Sequence, residues 1–147
     1  MFKHILVPTD GSQLSTDTVK RAVAFARETG ARLSFFYAKP DYPVAFYGEG
    51  ALIDPTTPEK FAEMADKQAS EVLSACEKLA QEAGVPSSSV STVSDIPYEA
   101  IIEASAKAAC DLIFMASHGR RGISGLLLGS ETQKVLTHST VPVLVYR

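Results

Sequence analysis

The chain has 147 residues, 46% apolar and 21% charged, which fits a single domain over 1–147; such a chain buries about 70% of its unfolded surface and needs neither disulfide nor structural metal. Its net charge of −3 argues against non-specific nucleic-acid binding, which calls for a basic excess. No apolar run approaches the ~18 residues of a membrane span and no leader pattern precedes the first strand, so neither nucleic acid nor membrane is expected as a partner and the cytoplasm is the expected compartment.

Ile5-Leu6-Val7 is a short apolar run that stops at Pro8-Thr9-Asp10-Gly11, the pattern of a buried parallel strand ending in a turn. Ser12 or Ser15 can cap a helix carrying Val19, Ala22, Val23 and Ala26 at helical spacing, with Gly30 as its C-terminal stop. Residues 33–38 form a second strand, rich in aromatics. From 39 to 56 the period is lost among three prolines, two glycines and three aromatics, which predicts a long loop. Its aromatics Tyr42, Phe46 and Tyr47 are expected to pack back on the domain.

Thr57-Pro58 starts the next helix, with Thr57 as N-cap and Pro58 at the first helical position. Phe61, Ala65, Ala69, Val72, Cys76, Leu79 and Ala83 give it one apolar face, and Gly84 and Pro86 close it. Residues 89–93 form a weaker strand, and Asp95-Ile96-Pro97 opens a helix with Ile101, Ala104 and Ala108. Leu112-Ile113-Phe114-Met115 is a further buried strand. After a glycine-rich stretch, Ser130-Glu131-Thr132-Gln133 fits a capping box that opens a helix ending near His138. Residues 141–146 form the last strand, with Pro142 near its start. Cys76 and Cys110 lie in or beside elements without a CxxC pattern, so buried reduced thiols are expected. His4 and His138 lack metal-ligand partners at useful spacing.

Strict alternation of strand and helix implies a single doubly wound parallel sheet with helices on both faces and right-handed crossovers. Ligands of such sheets bind beyond the carboxyl ends of the strands, near the point where strand order switches. Two loops leave strands at that edge: Pro8-Thr9-Asp10-Gly11 and the segment 116–129.

The second loop reads ASHGRRGISGLLLG and runs into Ser130. Glycines let backbone N–H groups face an anion, a helix N-terminus adds its dipole, and Ser130, Thr132, Arg120 and Arg121 add donors and charge. Those features describe a phosphate site; a surface loop with solvated arginines is the alternative on local chemistry alone. Neither the P-loop pattern nor the dinucleotide fingerprint is present. Asp10 reads equally as a ligand group or as a turn residue before Gly11. His118 has no paired nucleophile, so loop packing is its expected role.

Gly119, nine residues, then Gly129-Ser130 resembles the second part of the G-x-x-G, nine residues, G-[ST] motif of nucleotide-binding universal stress proteins. Ala116 stands where the first glycine would be. Residues 5–12 (ILVPTDGS) and 141–145 (VPVLV) are similar to the family's ends. The resemblance implies a five-stranded sheet of order 3-2-1-4-5, a homodimer through the last strand, and binding of ATP or a related adenine nucleotide by a regulator of stress adaptation. Carried over by position, it puts Asp10 near the ribose or metal-phosphate region and Thr9, Ala38 and Met115 near the adenine. Gly119, Gly129, Ser130 and Thr132 would hold ribose and phosphates, with Pro8, Ala116, Arg120 and Glu131 completing the site. Mg²⁺ could be held through the phosphates and Asp10. Glu131 would repel a triphosphate unless turned outward or bridged by that metal. No catalytic residue is expected. A nucleotide-free dimeric interaction module and a slow ATPase or phosphotransferase are the alternatives.

Overall fold

The computed structural model describes residues 1–43, 57–119 and 128–147. β1 (His4–Pro8), α1 (Gln13–Thr29) and β2 (Arg32–Lys39) follow the expected order, then α2 (Pro58–Glu82), β3 (Ser87–Val93), α3 (Pro97–Lys107), β4 (Leu112–Ala116), α4 (Ser130–His138) and β5 (Val143–Tyr146). The strands form one sheet of order β3-β2-β1-β4-β5. Every pairing is parallel.

Alternation along the strands builds two cores. Ile5, Val7, Leu33, Phe35 and Phe114 face α1 and α2, where Val19, Val23, Leu73 and Cys76 meet them. Leu6, Phe36, Ile113 and Met115 face the other way, against Ala100, Ile101 and Val135 of α3 and α4. Ile5, Leu6 and Val7 are all fully buried, and each such side chain stabilises the fold by about 1.5–3 kcal/mol. The continuous apolar run of β1 is therefore that of a strand covered on both faces.

Local chemistry sets most helix ends. Ser12 is the N-cap of α1 and accepts from the Ser15 amide, and Gly30 closes that helix at φ 74°. That left-handed conformation suits a residue without Cβ. Thr57 caps α2 through the Lys60 amide, with Pro58 following it.

Beyond one-residue extensions of β1, β2 and β4, two strand starts and one helix cap differ from expectation. β3 begins at Ser87 rather than 89, because its backbone pairs from Leu33↔Ser87 onward whatever the side chains. β5 begins at Val143 rather than 141: the Ser139 hydroxyl accepts from the Val141 amide (3.0 Å) and donates to the Val141 carbonyl (2.7 Å), holding a turn there. The expected capping box of α4 does not form. Gly129 is the N-cap, without a side-chain cap bond, Ser130 is already helical, and the Gln133 amide group donates to the Leu128 carbonyl at 3.0 Å. Loop closure explains the shift, since the Gly129 amide donates to the Ser117 carbonyl at 2.7 Å and fixes where the helix starts.

Candidate functional site

β1 lies between β2 and β4, so strand order switches between β1 and β4, and the loops leaving these strands share one edge. The first loop is built on hydroxyl and carboxylate bonds. The Thr9 amide donates to Phe36 O at 2.9 Å, and its buried hydroxyl lies 2.6 Å from Ser15 Oγ. The Asp10 amide donates to the same Ser15 Oγ at 3.2 Å. Asp10 Oδ1 accepts from the Ser12 amide at 2.9 Å, closing an Asx turn over Gly11, whose φ is 77°. Asp10 thus serves the turn and also stands at the ligand edge.

The second loop is clamped at its base. Ala116 pairs with Tyr146, and its carbonyl accepts from the Thr132 hydroxyl at 3.0 Å. The Ser117 amide donates to Tyr146 O at 2.8 Å. Ala116 is not among the described residues of positive φ, where Ala109 is the one non-glycine, so the backbone there accepts alanine without strain.

The two glycines of the spaced motif are favoured by contact rather than by φ. A Cβ on Gly119 would collide with Asp10 Oδ2. One on Gly129 would lie 3.0 Å from His118 Cα and 3.1 Å from its Cβ. Gly119 therefore brings the Asp10 turn against the glycine-rich loop, and Gly129 lets the loop's two ends touch. Ser130 follows at the start of α4, whose first turn carries no side-chain cap.

The remaining expected residues divide. Pro8 ends β1 half-buried, while Met115 is buried and Ala38 packs at the margin of the α3–α4 core. Thr132 is buried with its hydroxyl spent on Ala116 O, which leaves its backbone, not its side chain, for a ligand. Glu131 is committed to the neighbouring helix start: Oε2 accepts from the Tyr98 amide at 2.9 Å and Oε1 meets Lys134 Nζ at 3.3 Å. Arg120, Arg121, Phe46 and Tyr47 lie outside the described residues. Tyr42 packs edge-on against Phe61 of α2, centroids 5.6 Å apart, and Lys39 at the end of β2 reaches Asp66 at 2.8 Å.

Nucleophilic chemistry finds little support in these residues. Burial pushes the Cys76 thiol up to about 11, against the pull of the nearby Thr9 hydroxyl, and burial with the Asp111 charge pushes Cys110 to about 11. Both stay protonated near neutrality. His118 Nδ1 lies 3.2 Å from the Ser117 hydroxyl, but Ser117 is buried and shielded from a substrate. No group of three or more metal-ligating side chains occurs among the described residues. Sequence reasoning missed the Ser15 hydroxyl as the hub of the first loop and the Glu131–Tyr98 bond. The second had one signal, a helix opening Ile96-Pro97 that lacks a local polar cap.

The sheet order, with both loops at its switch point, defines a doubly wound α/β protein of the Rossmann-like class. Across residues 1–147 the chain matches the model of the Universal stress protein family. A universal stress protein of Thermus aquaticus is 33% identical, with 100% of each chain aligned. One from Methanocaldococcus jannaschii is 31% identical over 100% of this chain and 83% of its own length. A solved universal stress protein in complex with cAMP is 26% identical at a TM-score of 0.71, covering 99% of this chain and 97% of that one. The chain belongs to the universal stress protein family. No described helix is long and apolar enough to cross a membrane.

Proposed function

We propose that the protein binds ATP or a related adenine nucleotide across the loops after β1 and β4, and acts as a cytoplasmic dimeric regulator in stress response. The observation that carries this reading is the contact between Gly119 and the Asp10 carboxylate, which joins the two loops at the switch point. Gly129 adds a second position where only hydrogen fits easily, immediately before the α4 N-terminus. Backbone N–H groups there and the helix dipole suit phosphate oxygens. A related protein of the family binds cAMP, a ligand of the same adenine class.

In this reading Asp10 faces the ribose or a phosphate-bound Mg²⁺, and the backbone of Gly119 and 129–132 holds phosphates. Thr9, Ala38 and Met115 lie on the adenine side, with Pro8 and Ala116 as the strand ends beneath, and Arg120 supplies positive charge. In this reading Mg²⁺ would offset the charge of the phosphates and of Asp10, and nucleotide binding is the role proposed. Dimerisation has support at the other end of the sheet. β5 is an edge strand of four half-buried residues, and antiparallel pairing with a second copy would satisfy its open backbone groups.

Isothermal titration with ATP and Mg²⁺ tests the nucleotide, and light scattering across concentration tests the dimer. Saturable heat and twice the chain mass are expected. No heat at millimolar nucleotide overturns the first claim, and a concentration-independent monomer overturns the second.

A further inference from the structure

Helix α3 begins with a problem of hydrogen bonding. Its N-cap is Ile96, which has no side chain able to accept a bond, and Pro97 at the first position has no N–H. The first amide of α3 in need of a partner is therefore that of Tyr98. Glu131, 33 residues away on α4, supplies it through Oε2 at 2.9 Å. A carboxylate at a helix N-terminus is favoured by both the hydrogen bond and the dipole.

The same pair of helices is fastened by two further contacts. Lys134 Nζ, held by Glu131 Oε1 of its own helix at 3.3 Å, lies 5.5 Å from the centroid of the Tyr98 ring. The His138 ring, also on α4, sits 5.4 Å from that ring. Across the helix, the Thr132 hydroxyl holds Ala116 O at 3.0 Å. The first turn of α4 is thus pinned to β4 by Thr132 and to α3 by Glu131.

We propose that Glu131 is a positioning residue: as the α3 cap supplied by α4, it fixes the α4 N-terminus at the edge and ties its own charge to the α3 N-terminus and Lys134. This rests on the nucleotide reading above. The Glu131 side chain touches no ligand in this account; it acts through the backbone of α4. Pairing with the α3 N-terminus and Lys134 also offsets the charge that would otherwise repel a triphosphate.

Glu131→Gln keeps an acceptor for the Tyr98 amide and removes the charge, whereas Glu131→Ala removes both. Two readouts are needed, native-state amide exchange and titration with ATP-Mg²⁺ and with adenosine. The Tyr98 and Gln133 amides should stay protected in wild type and Glu131→Gln and exchange faster in Glu131→Ala. Affinity for ATP should fall about threefold to tenfold in Glu131→Ala, adenosine affinity should change less, and Glu131→Gln should stay within about twofold of wild type. Tighter ATP binding by both variants overturns the proposal, since the carboxylate would then lie in the field of the phosphates. So does unchanged exchange at Tyr98 and Gln133 in Glu131→Ala. If the wild type binds no nucleotide, the reading of the site fails separately, and exchange at those two amides still decides whether Glu131 fixes α4.

Discussion

Gly119→Ala isolates the contact on which the site is built. The added Cβ would overlap Asp10 Oδ2, and Gly119 lacks the left-handed φ of Gly30 and Gly84, so the effect is steric and falls on one carboxylate. Moving that group weakens the bond from the Ser12 amide to Oδ1, 2.9 Å long. Hydrogen bonds to charged groups contribute roughly 1.5–3 kcal/mol, and partial loss here should cost about 1 kcal/mol of stability. Nucleotide affinity should fall about tenfold, or about 1.4 kcal/mol, as Asp10 leaves its position. Gly30→Ala is the control. Its Cβ meets nothing within 4 Å but its φ is +74°, so it should lose about 1–2 kcal/mol of stability with no change in affinity. Urea unfolding and calorimetric titration measure both terms. In an Asp10→Ala background, Gly119→Ala should cost little stability, because the clashing group is gone. Equal losses in both backgrounds, or wild-type affinity in Gly119→Ala, would refute the reasoning.

Two other outcomes follow from buried groups. The Cys76 and Cys110 thiols, both pushed to about 11, should react with an aromatic disulfide at about pH 8 only as fast as the protein opens, and at once in denaturant; rapid reaction of the native protein would contradict their burial. Burial and the Arg32 charge hold the His4 imidazole below its ordinary 6.5, outweighing the Ala108 carbonyl and the Asp111 charge that pull it up. The unfolded chain then takes up this proton first. The stability His4 confers is full above pH of about 6.5 and is lost as pH falls below it toward the folded value. Urea unfolding between about pH 7 and pH 5 should show that decline, and His4→Gln should flatten it; an unchanged slope in the variant would assign the effect to other groups.

What the sequence made legible was what local chemistry decides. Ile5-Leu6-Val7 reads as a strand buried on both faces, and Ser12, Gly30 and Thr57-Pro58 mark helix ends through their own side chains or their lack of one. The alternation of elements carried the parallel sheet. The start of β3 was hidden because Ser87 and Ser88 are paired through backbone register with β2, which no side-chain pattern reports. The N-cap of α4 was misplaced because closure onto Ser117 O, twelve residues upstream of Gly129, decides it. The spacing of Gly119 and Gly129 was legible, but its cause was not, since Asp10 and His118 reach them through the fold. The direction of Glu131 was equally hidden, its partner lying on another helix.

The central claim is that an adenine nucleotide occupies the edge between β1 and β4. Titrating isotopically labelled protein with ATP-Mg²⁺ and following backbone amides tests it most directly. Saturating shifts should cluster at Thr9, Asp10, Gly119 and Gly129 through Thr132, on elements that meet at the Asp10–Gly119 contact. Absence of shifts at millimolar nucleotide, or shifts confined to surfaces away from the β1 and β4 ends, would contradict the account.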